Sequence, residues 1–112
     1  MSSAPVSLVC VVSAAMILIT GSFVAQAEHY EELEALSLEH VHRSRLEAGC
    51  IAHGVHRDVE NPLRLVFLEK WEDQAAVAAH FAVPASNDFV RRALALANGS
   101  PSLEVFAVAP PS

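Results

Sequence analysis

Apolar positions recur every three to four residues from His29 to Ala48, where Tyr30, Leu33, Leu36 or Ser37, His40 or Val41, and Ser44 fall on one side of a helix. Glu28, Glu31, Glu32 and Glu34 crowd its start and Arg43 and Arg45 lie near its end, as the helix dipole favours. Gly49 stops it. The period then changes to two. Across Cys50–Arg57, Ile51, His53 and Val55 share one strand face, while Ala52, Gly54 and His56 take the other. Asp58 to Pro62 is turn material, and Leu63–Trp71 reads as a second strand, so the two predict a hairpin. Glu72 and Asp73 open an Ala-rich helix that runs to Ala82 and breaks at Pro84. Asn87 or Asp88 is expected to cap another short helix through Ala97, closed by Asn98-Gly99. Leu103–Val108 is the last strand.

From His29 the predicted order is α-β-β-α-(α)-β, one leading strand short of β-α-β-β-α-β. Met16–Val24, rich in β-branched and large apolar residues, supplies that strand. A competing reading exists, because Val6 to Ala27 carries no charge and Ala25-Gln26-Ala27 resembles a signal-peptidase site. It would make the protein exported, with cleavage after Ala27. Met1–Pro5 lacks the Lys or Arg of a signal peptide, and cleavage would remove the strand and leave unpaired edges. The strand reading is therefore preferred, with a cytoplasmic protein. The fold expected is α+β and ferredoxin-like, with an antiparallel sheet. Residues 16–109 form the domain and 110–112 a loose end. Residues 1–15 are an extension of open status: an extra strand, a disordered arm, or the result of Met16 being the true start.

In Leu63–Trp71, Leu65, Phe67 and Trp71 share one face while Val66 and Leu68 occupy the other. Apolar side chains on both faces mark a sheet covered on both sides. The helices can cover only one, so a second copy packing sheet to sheet is expected, giving a homodimer.

The chain has 112 residues, enough for one modest core, and a net charge of −6. Its few Lys and Arg residues are scattered. An acidic surface without a basic stripe excludes nucleic acid and anionic membranes as expected partners. Cys10 and Cys50 are too few for a disulfide framework and are expected as free thiols.

The stretch Arg45–Pro84, "RLEAGCIAHGVHRDVENPLRLVFLEKWEDQAAVAAHFAVP", resembles the antibiotic biosynthesis monooxygenase (ABM) domain family. The matching elements are the turn Glu47-Ala48-Gly49-Cys50, the strand end Leu68-Glu69-Lys70-Trp71-Glu72, and His80 in the Ala-rich helix. "MILITGSFV" is similar to the family's opening strand. The resemblance covers about Met16 to Val108. It implies a monomer pairing into a dimeric α/β barrel, and a cofactor-independent monooxygenase that oxidises a quinol-like or polyketide-type aromatic with O2. The alternative is a non-catalytic barrel that binds a small aromatic ligand or a protein partner, since fold does not fix function. This sequence lacks the family's Pro-Gly after strand one. It also replaces the usual Thr-Pro-His-Phe with Val83 to Phe89. Haem-degrading relatives pair a strand-one Asn and a helix His with the Trp. Here Ser22 and Ala93 stand near those positions beside Trp71, so haem breakdown is not expected.

Oxidation without a cofactor asks the protein for an apolar pocket, a base to form an electron-rich phenolate, and donors for developing charge. Histidine, with an ordinary pKa of about 6.5, suits the base. His80 is the expected catalytic base, with His40, on the inward stripe of helix one, as its partner. Trp71, His53 and Phe67 are the expected substrate-binding wall. His29, His42 and His56 are read as solvent-facing, and Glu69 as a salt bridge or rim residue. No cofactor or metal site is expected. His40 and His42 lie on different sides of a helix and His53 and His56 on opposite sides of a strand, and there is no HExxH.

Overall fold

A computed structural model describes residues 16–109. The elements run β1 (Ile17–Val24), a single 3-10 turn (Ala27–His29), α1 (Tyr30–Ser44), β2 (Cys50–Asp58), β3 (Asn61–Trp71), α2 (Gln74–Ala82), α3 (Pro84–Leu96) and β4 (Ser102–Ala107). The expectations for residues 1–15, including Cys10, and for 110–112 lie outside the described residues.

The sheet order is β2-β3-β1-β4, and every pair is antiparallel. This is the ferredoxin-like α+β arrangement. β1 is a central strand: Ile17 pairs with Trp71 on one side and with Ala107 on the other. The residues of the supposed cleavage segment from Ile17 to Val24 thus hold the sheet together.

The helices cover the face that carries Ile17, Ile19, Phe23, Leu65, Phe67 and Trp71, all buried. Most of the core lies between this face and α1 and α3, where Leu33, Leu36, Val41, Phe89, Ala93 and Leu96 pack on Phe23, Leu65 and Phe67. A second cluster joins Ile17, Ile19 and Trp71 to Val77 of α2. Among the described residues, no helix lies on the opposite sheet face. There Leu18 lies opposite Phe106, and Thr20 opposite Leu68. Leu68 and Phe106 are 40% and 46% exposed, an apolar sheet surface facing outward.

Several boundaries and one face differ from expectation; β3, for one, begins at Asn61 rather than Leu63. Helix α1 ends at Ser44 rather than Ala48, and two turns carry the chain from there to Gly49. Helix α3 starts at Pro84, not at an Asn87 or Asp88 cap, because proline fits the first helical position, where its missing N–H costs nothing. The face assigned to Ile51 is wrong. A bulge between Cys50 and Ala52 turns Ile51 outward, 52% exposed, and leaves Cys50 and His53 on the helix-covered side. Asp73 starts α2, and its carboxylate accepts a hydrogen bond from the Ala76 N–H at 2.8 Å.

Gly49 joins α1 to β2 with φ +84°, and a Cβ there would sit 2.4 Å from the Cβ of Ala76. Only glycine lets the turn and α2 approach this closely. The turn is tied to the end of β3 by the Glu72 N–H, which donates to the Gly49 carbonyl at 2.8 Å.

Candidate functional site

His40 from α1, His53 from β2 and His80 from the last turn of α2 converge beneath the helices. All three are buried, at 5%, 3% and 3% exposure. One ring nitrogen from each lies within 4.8 Å of the others. The β-bulge assists this meeting, because it restores the inward direction of His53 after the outward Ile51.

Two carboxylates enter the cluster. Glu69 follows Phe67 by two residues on β3, so the pleat turns it inward, and it is 7% exposed. Its Oε1 accepts the Trp71 indole N–H at 2.9 Å. The same oxygen lies 3.4 Å from His53 Nε2 and 3.9 Å from His80 Nε2. Burial pushes the Glu69 carboxyl up, but the His53 ring, the indole N–H and the charge of His80 together hold it below its ordinary value. Glu47, on the turn before β2, meets His80 Nδ1 at 2.8 Å. Of the two places expected for Glu69, the rim is corrected, since the residue is buried at the centre of the site, while the salt bridge is found, to His53 and His80. Its odd-numbered position beside Phe67 and Trp71 was the available signal.

His40 and His80 differ in chemistry. His40 stacks on Phe89, with ring centroids 4.1 Å apart and planes 9° apart, and its Nδ1 accepts from Arg43 Nη2 at 2.8 Å. Burial, with the charges of His53 and Arg43, pushes its imidazole down to about 3. Such a ring stays neutral near pH 7 and is a weak base. His80 has its Nδ1 on a carboxylate, which leaves Nε2 for a ligand. Cys50, whose thiol is pushed up by burial and by the charge of Glu47, stays protonated.

A cleft opens above the cluster. Phe23, Phe67, Phe81 and Phe89 give it aromatic walls, and His40, Glu69 and His80 are its ionisable groups. Of the residues expected from sequence, His80, His40 and Phe67 line this cleft. Trp71 and His53 do not. Trp71 is wholly buried, holding Glu69 from behind, and His53 lies in the layer beneath. Glu47 and Arg43, which sequence reasoning gave no role, are the groups that hold His80 and His40.

Residues 16–92 match the model of a family described as antibiotic biosynthesis monooxygenase. The uncharacterised protein sll1783 of Synechocystis sp. is 28% identical over 93 residues, which cover 83% of this chain and 63% of the relative. The chain thus spans less than two thirds of the length of that curated relative. Among solved structures, protein SO0527 from Shewanella oneidensis is 27% identical with a TM-score of 0.79, covering 85% of this chain and 92% of that one. An antibiotic biosynthesis monooxygenase is 23% identical with a TM-score of 0.78, covering 84% and 99%, a likeness of fold.

Proposed function

Because the chain belongs to the antibiotic biosynthesis monooxygenase family, we propose that it oxidises a small phenolic aromatic, quinol-like or of polyketide type, with O2. The observation that carries this reading is His80, held through Nδ1 by Glu47 on the wall of an aromatic cleft.

In this reading the substrate ring lies among Phe67, Phe81 and Phe89, which shield it from water. His80 Nε2 takes a proton from the substrate, and the imidazolium formed is stabilised by Glu47 at its other nitrogen. Burial of the site strengthens that pairing. The substrate anion then supplies electrons to O2. For a ring CH2 flanked by phenols, addition of O2 gives a hydroperoxide that loses water. One oxygen atom stays as the new carbonyl and the other leaves as H2O, so no external reductant is required. His40, held neutral, acts as a wall and hydrogen-bonding group rather than as a second base. Trp71 acts at one remove, through Glu69.

The unit proposed is a homodimer that packs the outward sheet faces together and buries Leu18, Leu68 and Phe106. The same reading places the protein in the cytoplasm, since cleavage after Ala27 would remove the central strand.

The test is protein-dependent O2 uptake over hydroquinones, naphthalene diols and anthrone-like phenols, corrected for autoxidation. His80→Ala is expected to lose at least about a hundredfold in turnover, the usual worth of a general base. Glu47→Gln is expected to lose less, with the pH profile displaced. Turnover of His80→Ala within twofold of wild type refutes the assignment. Ligand-induced melting shifts without O2 uptake would favour the binding module instead.

A further inference from the structure

We infer that His40, His53 and His80 form a binding site for one divalent transition-metal ion, with the Glu69 carboxylate beside His53 and His80 supplying negative charge. Three imidazoles from three different elements place one nitrogen each within 4.8 Å of the others. Tetrahedral nitrogen ligands at zinc-like bond lengths are about 3.3 Å apart. The rings must therefore close by roughly 1.5 Å, a motion within the broad terminal torsion of histidine.

A second observation points to a ligand. The His53 side chain is wholly buried, yet neither ring nitrogen makes a hydrogen bond. Its Nε2 lies 3.4 Å from Glu69 Oε1 but in an orientation unsuited to one. Buried polar groups left unpaired are costly, and a metal would give this lone pair its partner. The surroundings fit a cation. Glu47 on His80 Nδ1 is the carboxylate–histidine support that metal-ligating imidazoles usually carry on their other nitrogen. Glu69 Oε1, near both His53 and His80, supplies negative charge. Three imidazoles with a carboxylate nearby suit zinc, cobalt, nickel or ferrous iron.

One group opposes the ion. Arg43 Nη2 donates to His40 Nδ1 at 2.8 Å. A metal on either nitrogen of that ring displaces it, because Nδ1 must then carry the metal bond or the ring proton. Ser86 Oγ, 3.3 Å from the same Nη2, offers the guanidinium another acceptor. Removing Arg43 is thus predicted to tighten metal binding. The site goes beyond the oxygenase reading and does not rest on it. A metal would occupy the nitrogen that acts as base, so filled and catalytic forms of the cleft would exclude each other.

The experiment is a Co2+ titration of the untagged, EDTA-treated full chain near pH 7.5, without substrate, so its outcome is independent of any O2 assay. Trp71 is the only tryptophan, and its ring lies 4.6 Å from that of His80 and 6.1 Å from that of His53. Cobalt in the site quenches its emission, produces d–d bands of tetrahedral intensity, and is displaced by Zn2+. His53→Ala and His80→Ala are expected to weaken binding at least about tenfold, and Arg43→Met to strengthen it. If a histidine variant fails to show wild-type circular dichroism, the Arg43→Met arm and wild-type quenching decide. No quenching and no d–d bands at millimolar Co2+ overturn the proposal. So does binding that folded His53→Ala and His80→Ala retain undiminished, which would place the ion elsewhere.

Discussion

Gly49 offers a test in which the fold and the site are read together. Replacing it with alanine does two separable things. It forces an L-residue to φ +84°, at roughly 1–2 kcal/mol. It also sets a methyl carbon 2.4 Å from the Cβ of Ala76, far inside the ordinary carbon contact of about 3.5–4.0 Å. Relieving that overlap means shifting the turn or α2, at roughly 1–3 kcal/mol. Less freedom in the unfolded chain returns a few tenths. Gly49→Ala is therefore expected to destabilise by about 2–4 kcal/mol. Ala76→Gly opens space for the new methyl and by itself costs up to about 1 kcal/mol of helix propensity. In that background the Gly49→Ala penalty should shrink to about 1 kcal/mol, the backbone part alone. The assay is urea unfolding at fixed protein concentration, followed by Trp71 emission and far-UV circular dichroism, with slopes compared across the cycle. Penalties that simply add within about 0.5 kcal/mol would refute the close approach of turn and helix. The same turn carries Glu47, two residues upstream. Gly49→Ala should also weaken the Glu47–His80 pair and lower turnover beyond what lost stability explains.

Other predictions follow from the buried polar groups and the open sheet face. Unfolded His40 takes up a proton near its ordinary value of 6.5 and folded His40 only at about 3. The unfolded state thus holds the extra proton between those values, and stability rises with pH across that window by at most about 1.4 kcal/mol per pH unit. Urea midpoints measured from pH 4 to 7 should climb, and a flat profile would sink the argument; His40→Leu should flatten it. Glu69→Leu strands the buried Trp71 N–H and should cost about 1–3 kcal/mol, whereas Glu69→Gln keeps an acceptor and should cost less. Equal losses for the two would show that the indole hydrogen bond does not matter. Leu68→Glu with Phe106→Glu puts charges on the outward sheet face. Sedimentation velocity should then report a monomer, and an unchanged sedimentation coefficient would remove the proposed interface.

The fold was legible because its elements announce themselves by period. The helical stripe from Tyr30 to Ser44 and the two-residue alternation of β3 reappear in the structure close to where the pattern put them. What was missed follows from single residues that break period. The bulge at Ile51 reverses the face of everything before it on β2, and no residue type in Cys50-Ile51-Ala52 announces it. Pro84 was read as the break between two helices when it is also the first residue of the second.

The site was half legible for a different reason. His40 and Phe67 could be placed from the inward face of their own helix or strand, and His80 from the family resemblance of its Ala-rich helix. Their meeting with His53 and Glu69, which lie opposite each other on the β2–β3 hairpin, is tertiary: it depends on how α1 and α2 pack over that hairpin. Histidine spacing within any one element does not show it. The grouping also has an energetic meaning. Three imidazoles and a carboxylate beneath two helices cost more to bury than leucines or phenylalanines of similar volume, and apolar replacement of buried ionic groups often stabilises a protein. The surrounding Phe67, Phe89 and Trp71 already supply apolar packing, so folding alone gives no reason for this polar set. Its members are instead held individually: His80 by Glu47, His40 by Arg43, and Glu69 by Trp71. Among the three histidines, His53 is the one with neither ring nitrogen hydrogen-bonded among the described residues, although Arg43 Nε and Glu47 Oε2 beside the cluster are unpartnered too. In a costly polar cluster whose other imidazoles are each held by a partner, the His53 ring marks the place where a further ligand would gain most.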